Sequence, residues 1–111
     1  MEFIVAMTTT ATAADAQRIA DALVTRRLAA CVQVVGPIRS VYRWQDRVEL
    51  AEEFRCEIKT VSRHFEAIRQ LMGEIHGYDL PELIATPITH ISPAYGQWLA
   101  EQIEVEGHAA T

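Results

Sequence analysis

Apolar and polar residues alternate with a period of two along Cys31–Thr60, which is typical of paired strands with one apolar face. The alternation runs in both directions from the polar triplet Gln45-Asp46-Arg47, which indicates a hairpin with a three-residue loop. In that register Trp44 lies opposite Val48, and arginines face glutamates across the strands. A loop one residue shorter would set Arg43 opposite Val48, so the pattern favours the longer loop.

The predicted hairpin is long for a chain of this size. Each strand has about 13 to 15 residues and reaches about 45 to 50 Å, whereas a compact chain of this length has a radius of gyration of about 13 Å. A ribbon that projects this far, with apolar residues at its tip, lacks stabilising contacts of its own. We therefore expect it to pack on other copies of the chain, with interface anchors at Tyr42, Trp44, Leu50 and, on the last helix, Trp98.

The remaining segments predict two further strands and three helices. A strand covers Phe3–Thr8, a helix capped by Thr12 follows, a second helix begins after Ser62, a strand covers Glu82–Thr89, and a third helix begins at Ser92-Pro93. The order is the split βαβ arrangement, an α+β ferredoxin-like sandwich with a long β2-β3 hairpin and an extra C-terminal helix. This arrangement puts both main helices on one face of the sheet and leaves the other face bare. Packing three such faces together in a homotrimer is one way to bury them. We assign residues 1–104 to one domain and residues 105–111 to a disordered tail.

Composition narrows the functional classes. The 111 residues carry a formal net charge of -5 and have no basic run, which argues against a nucleic-acid partner. No apolar stretch has the length of a membrane span, and the first residues lack the features of a signal peptide, so we expect a cytoplasmic protein without a membrane partner. The hairpin register separates Cys31 from Cys56, so both are expected to be reduced thiols.

Four blocks of sequence, in order, resemble the CutA family, the divalent-cation tolerance proteins. The resemblance covers nearly the whole chain from Phe3 to about Ile103. Its most specific parts are Arg27-Leu28-Ala29-Ala30-Cys31-Val32, Ser40-Val41-Tyr42-Arg43-Trp44 with Glu53 and Ile58-Lys59-Thr60, His76-Gly77-Tyr78-Asp79-Leu80-Pro81-Glu82, and Tyr95 with Trp98-Leu99.

The resemblance implies a ferredoxin-like homotrimer, similar in architecture to the nitrogen-regulatory PII proteins, with crossing hairpins. It also implies a role in tolerance to copper and other divalent cations, without an agreed enzymatic activity. This chain departs from the family where Asp46 stands in place of a usual turn glycine. It also has Thr8 and Ile75 where some members carry a Cys and a second His, which reduces a three-ligand copper set to His76.

His76 ends the second helix close in sequence to Asp79 and Glu82, so an imidazole and two carboxylates could converge on weakly bound Cu(II) or another divalent cation. The competing interpretation is that His76 meets the negative end of the helix dipole while Asp79 caps the turn.

Lys59, Tyr78 and Glu82 are candidates for a cleft at a subunit junction. One alternative function is therefore a PII-like trimeric regulator that binds a small anionic metabolite or a partner protein there. Another is an enzyme that uses His76 and Glu82 as acid and base, but no phosphate loop, Ser-His-Asp set or paired CxxC accompanies them. The sequence thus favours a protein that is not an enzyme.

Overall fold

The computed structural model describes residues 1–103, and the predicted tail at residues 105–111 lies outside the described residues. The predicted order of four strands and three helices is confirmed. The elements are β1 Phe3–Thr10, α1 Ala13–Thr25, β2 Cys31–Trp44, β3 Arg47–Val61, α2 Phe65–Ile75, β4 Ile84–Pro87 and α3 Pro93–Gln102, with a 3-10 turn at Ser62–His64 before α2.

The four strands form one antiparallel sheet with the order β2-β3-β1-β4. Helices α1 and α2 cover the same face of this sheet, as the ferredoxin-like arrangement requires. The main core lies between them and contains, among its buried side chains, Ala6, Cys56 and Ile58 from the sheet, Ile19 and Leu23 from α1, and Ile68 and Met72 from α2. We refer to this part of the molecule as the globule.

Local signals fix the ends of α1. The side chain of Thr12 accepts a hydrogen bond from the Asp15 backbone N–H at 3.1 Å, which satisfies one of the unpaired donors of the first turn. At the other end Arg27 adopts φ 60°, and the Leu28 N–H returns to the Leu23 carbonyl at 3.0 Å. This is the Schellman arrangement, formed here without a glycine.

Helix α3 begins with Ser92 and Pro93, as predicted, and closes a second, smaller core. Its Leu99 and the following Ile103 are buried, and Phe3 packs against them. The predicted apolar face of α3 is only partly covered, however, because Trp98 remains 42% exposed.

The predicted register at the hairpin tip is wrong. The loop has two residues, Gln45 and Asp46, and Trp44 pairs with Arg47 while Arg43 pairs with Val48. Both loop residues have positive φ, 50° and 66°, as in a type I′ turn, whose twist matches that of the flanking strands. The requirement of twist prevails over the cross-strand pairing that the alternation favoured.

A register change of one residue redistributes the side chains over the two faces. Tyr42 and Trp44 now lie on one face of the tip, and Val41, Val48 and Leu50 lie on the other. The tip therefore has apolar residues on both faces instead of the single apolar face that was predicted.

The outer part of the hairpin, Ile38–Trp44 with Arg47–Glu53, extends beyond the end of β1 and is called the arm. Strand β1 pairs with β3 only over Phe54–Val61, so the arm is a two-stranded ribbon. The molecule measures 49 × 29 × 23 Å as a consequence.

An irregularity in β2 between Val35 and Ile38, at the Gly36-Pro37 pair, separates the arm from the globule. The Phe54 ring packs so closely on Gly36 that any Cβ there would collide with it.

Cys31 and Cys56 are both free thiols, as expected. Cys56 is buried in the main core and donates a hydrogen bond to the Ala16 carbonyl at 3.6 Å. Burial raises the pKa of the Cys56 thiol to about 11, which makes it a poor ligand or nucleophile. Across residues 1–103, no helix combines the length and apolar character needed to cross a membrane.

Candidate functional site

A cavity of about 610 Å³ opens where the arm leaves the globule. One wall is the arm, and the other is the loop between α2 and β4, residues 76–83, called here the α2–β4 loop. The lining is mainly aromatic and acidic. Its residues are Thr9, Ser40, Val41, Tyr42, Trp44, Glu53, Tyr78, Asp79, Leu80 and Glu82. This lining contains three aromatic rings and three carboxylates but no Lys, Arg or His.

Glu53 is the buried carboxylate of the cavity, with only 8% of its surface exposed. Its Oε2 accepts a hydrogen bond from the Tyr78 hydroxyl at 2.8 Å. No basic side chain within the described residues forms an ion pair with it. A buried carboxylate normally has a cationic partner or several hydrogen-bond donors. Glu53 has one donor and no cationic partner among the described residues.

Tyr78 links the α2–β4 loop to the arm through its bond to Glu53. Burial, reinforced by the hydrogen bond to Glu53 and its negative charge, raises the pKa of the Tyr78 phenol well above its ordinary value. The phenol therefore stays protonated and donates to Glu53 throughout the physiological range.

His76 lies at the end of α2 and is the first residue of this loop, and both nitrogens of its ring form hydrogen bonds. Nδ1 accepts a hydrogen bond from the Tyr78 backbone N–H at 3.0 Å, so Nε2 carries the proton in the neutral ring and donates to the Thr9 carbonyl at 2.9 Å. The Thr8 hydroxyl is 3.1 Å from the same Nε2. His76 thus ties α2 and its loop to the end of β1.

Burial lowers the pKa of His76, although the hydrogen bond to the Thr9 carbonyl opposes this effect. The neutral ring is therefore the stable form at neutral pH. A metal ion would have to displace the Tyr78 N–H from Nδ1 or the proton from Nε2.

These positions do not form a ready-made metal centre. Asp79 and Glu82 are exposed residues of the cavity lining, whereas His76 is not part of that lining. In the part of the chain that the structure describes, no group of three or more His, Cys, Asp or Glu side chains is arranged to hold a metal ion. The loop supplies nitrogen and oxygen donors that Cu(II) accepts, but a single chain does not hold them in a convergent set.

The other predicted site residues lie in separate places. Lys59 lies near the C-terminal end of β3, paired with Val5 and Cys31, and its ammonium donates to the Gln33 side chain. It does not contribute to the cavity that Tyr78 and Glu82 line. Leu50 is 64% exposed on the arm.

Sequence reasoning missed the two features that build this site. The predicted three-residue loop set arginines opposite glutamates along the hairpin, whereas the observed register pairs Glu53 with Ile38. Thr8 was treated as the end of a strand and Thr9 was left outside it, although both contact the His76 ring. The resemblance blocks, which contained both Glu53 and Tyr78, were the only signal in the sequence that could have linked these distant positions.

The fold and the cavity define a class of small α+β sandwich proteins that project an oversized β hairpin and form a pocket at its root. The profile of the CutA1 divalent ion tolerance protein family matches residues 4–102. A divalent-cation tolerance protein from Thermus thermophilus is 40% identical over 86 residues, which cover 78% of this chain and 84% of the relative.

Other relatives extend the comparison. Protein CutA of Mus musculus is 34% identical over 96 residues, which cover 86% of this chain and 54% of that protein, so the chain spans about half of this longer relative. The crystal structure of CutA1 from Oryza sativa superposes with a TM-score of 0.91 at 33% identity, covering 94% of this chain and 95% of that one. The chain belongs to the CutA1 divalent ion tolerance family, which is named for tolerance of cations and not for a catalytic activity.

Proposed function

We propose that the protein acts as a non-enzymatic, cytoplasmic homotrimer that responds to divalent cations of the copper class and contributes to metal tolerance. The observation that carries this proposal is the family match over residues 4–102. The fold agrees with it over the same length, since the arm and the α2–β4 loop both lie within the matched region.

The exposed surface of the arm supports assembly. Val41 and Val48 are each 67% exposed and Leu50 is 64% exposed in the single chain, and they share one face of a ribbon. Contiguous apolar surface of this kind is rare on a monomer and typical of a protein interface. Trp98 of α3, 42% exposed, is a suitable aromatic anchor for sister chains. Tyr42 and Trp44, which were also predicted as anchors, lie on the opposite face of the arm and line the cavity.

The proposed contact with a cation is weak. His76, with Asp79 and Glu82 from the same loop, supplies an imidazole and two carboxylates, which are donors that copper(II) and zinc accept. Because the His76 nitrogens already bond to Tyr78 and Thr9, binding at the imidazole must first break one of these bonds. The affinity for the metal should therefore depend on pH, because binding at Nε2 releases the proton that this nitrogen carries.

Calorimetry with copper(II) and with zinc on chelator-treated protein tests the cation contact. We expect saturable binding that is about tenfold weaker in His76→Ala and unchanged in His90→Ala, which removes an exposed histidine of another loop. An absence of binding at micromolar metal would reject direct contact.

Sedimentation should give a mass of three chains of 12.5 kDa each, and a well-folded single chain at low micromolar concentration would reject the trimer.

The alternative function, a PII-like regulator that binds a small anionic metabolite, receives no support from this cavity. Its lining carries Glu53, Asp79 and Glu82 and no basic residue, so it repels anions. Lys59, on which the alternative relied, bonds to Gln33 elsewhere on the sheet.

A further inference from the structure

The cavity at the root of the arm has a composition that a metal-tolerance role does not account for. It combines three aromatic rings, Tyr42, Trp44 and Tyr78, with the buried carboxylate of Glu53. Divalent metal ions need convergent oxygen or nitrogen ligands and gain little from aromatic walls. Aromatic faces attract a different kind of cation, one that is large and weakly hydrated.

Charge gives the second part of the argument. Glu53 has only 8% of its surface exposed, and the Tyr78 hydroxyl at 2.8 Å is its hydrogen-bond donor. The other carboxylate oxygen of Glu53 has no hydrogen-bond partner within the described residues. In the same part of the chain, every fully enclosed side-chain nitrogen or oxygen has a partner. This oxygen therefore keeps some accessible surface, and Glu53 is one of the residues that line the cavity.

Size is the third part. A volume of about 610 Å³ lies within the range of small-molecule sites, roughly 300 to 1,000 Å³. It exceeds what a bare metal ion requires. Asp79 and Glu82 at the exposed side of the lining add negative charge that attracts cations during approach.

We propose that this cavity binds a small organic ammonium ion, with the positive nitrogen against Glu53 and its alkyl groups against Trp44, Tyr42 and Tyr78. Tyr78 positions the carboxylate by donating its hydroxyl to one oxygen, which leaves the other free for the ligand. The arm supplies two of the three rings, so its attachment to the globule also shapes the site. This site does not include His76 and needs no metal, although Asp79 and Glu82 of its lining also belong to the donor set proposed for divalent cations.

The test uses choline and its uncharged carbon isostere, 3,3-dimethyl-1-butanol, on the assembled full-length protein in the presence of a chelator. Calorimetry measures affinity, and Trp44 fluorescence in a Trp98→Phe background reports on the cavity. We expect saturable choline binding that is about tenfold or more tighter than binding of the isostere, because only choline carries the charge. Equal affinity for the two probes would overturn the proposal. An absence of saturation by choline at about 10 mM would also overturn it, because a specific site saturates at much lower ligand concentrations.

Two neighbouring carboxylates provide a matched pair of variants. Glu53→Gln removes the charge inside the cavity and should weaken choline binding about fivefold or more. Glu52→Gln makes the same change at the adjacent exposed residue, outside the lining, and should leave affinity within about twofold. Equal losses in both variants would overturn the assignment to Glu53.

Trp44→Leu provides an independent readout if Glu53→Gln does not fold. It keeps an apolar side chain but removes the aromatic face, so it should weaken choline more than it weakens the isostere. An equal effect on both probes would overturn the aromatic part of the site. Since choline binding is measured without metal, failure here leaves the proposed role in cation tolerance standing, and failure to bind copper leaves this site standing.

Discussion

The globule and the arm differ in where their apolar side chains go. In the globule Leu23 is fully buried, whereas on the arm Leu50 is 64% exposed. Both leucines belong to regular elements with normal hydrogen bonding. The difference shows that the globule buries its apolar side chains within one chain, whereas the arm leaves its apolar side chains exposed to solvent or to a binding partner.

The largest expected effect comes from truncating the two leucines. Leu23→Ala should lower the free energy of unfolding by about 2 to 5 kcal/mol, because it leaves a cavity in the main core. Leu50→Ala should act mainly through assembly, so its effect on unfolding should depend on protein concentration. Urea titrations at several concentrations measure both, and a large concentration-independent loss for Leu50→Ala would contradict the comparison.

A pair of exposed valines isolates assembly from folding. Val48→Asp places a charge on the arm and should weaken association by about 1 to 3 kcal/mol, since a desolvated charge is costly in an interface. Val24→Asp makes the same change on α1, where the residue is 43% exposed and outside the predicted interface. Sedimentation equilibrium should detect dissociation in the first variant and none in the second, and equal behaviour would count against an arm interface.

Acid should loosen the contact between the globule and the α2–β4 loop, with an effect smaller than core truncation. Burial lowers the pKa of folded His76, with Arg18, Asp15 and Glu53 as its charged neighbours. The unfolded chain, with a histidine pKa of about 6.5, therefore binds a proton first as the pH falls. The stability that the neutral ring contributes is present above about pH 6.5 and is lost as the pH drops from there through the lower, folded value.

Thermal unfolding between pH 7 and pH 5 checks this expectation on chelator-treated protein. His76→Gln keeps a donor for the Thr9 carbonyl but cannot titrate, so the pH dependence should become shallower. His90→Gln removes an exposed histidine and should keep the original slope. An unchanged slope in His76→Gln would mean that the proton goes elsewhere.

The smallest expected effect is at the tip of the arm. Asp46 adopts φ 66°, so Asp46→Gly should stabilise the hairpin by about 0.5 to 1 kcal/mol by removing left-handed strain. Glu52→Gly, within a strand of the same arm, should destabilise by a similar amount. Paired urea midpoints would reveal the opposite signs, and a loss in both variants would argue that Asp46 forms a needed contact.

Much of the fold was predictable because its signals are local. Thr12 with Asp15, and Ser92 with Pro93, mark helix starts, and period-two alternation marks the hairpin, all within a few residues of sequence. The register was not predictable in the same way. Cross-strand pairing of Trp44 with Val48 was chemically attractive, but the twist of the whole ribbon selected the tighter turn.

The candidate site was predictable only in part. The block His76–Glu82 drew attention to the α2–β4 loop, and its local chemistry suggested a metal ligand set. The nitrogens of His76 instead bond to a strand 67 residues away and to the next turn of its own loop. Partners so distant in sequence leave no periodic signal, so a histidine that holds the fold together and one that binds metal look the same.

By itself, the sequence determined the order of elements, the length of the hairpin and the family, because each follows from short-range periodicity, caps and motif blocks. Only the tertiary structure decided which residues face each other across the arm, that Glu53 is buried beside Tyr78, and that His76 is already bonded. The physical reason is that burial and hydrogen bonding depend on groups brought together by chain folding. Their energies are set by the surroundings of each side chain and not by its neighbours in sequence.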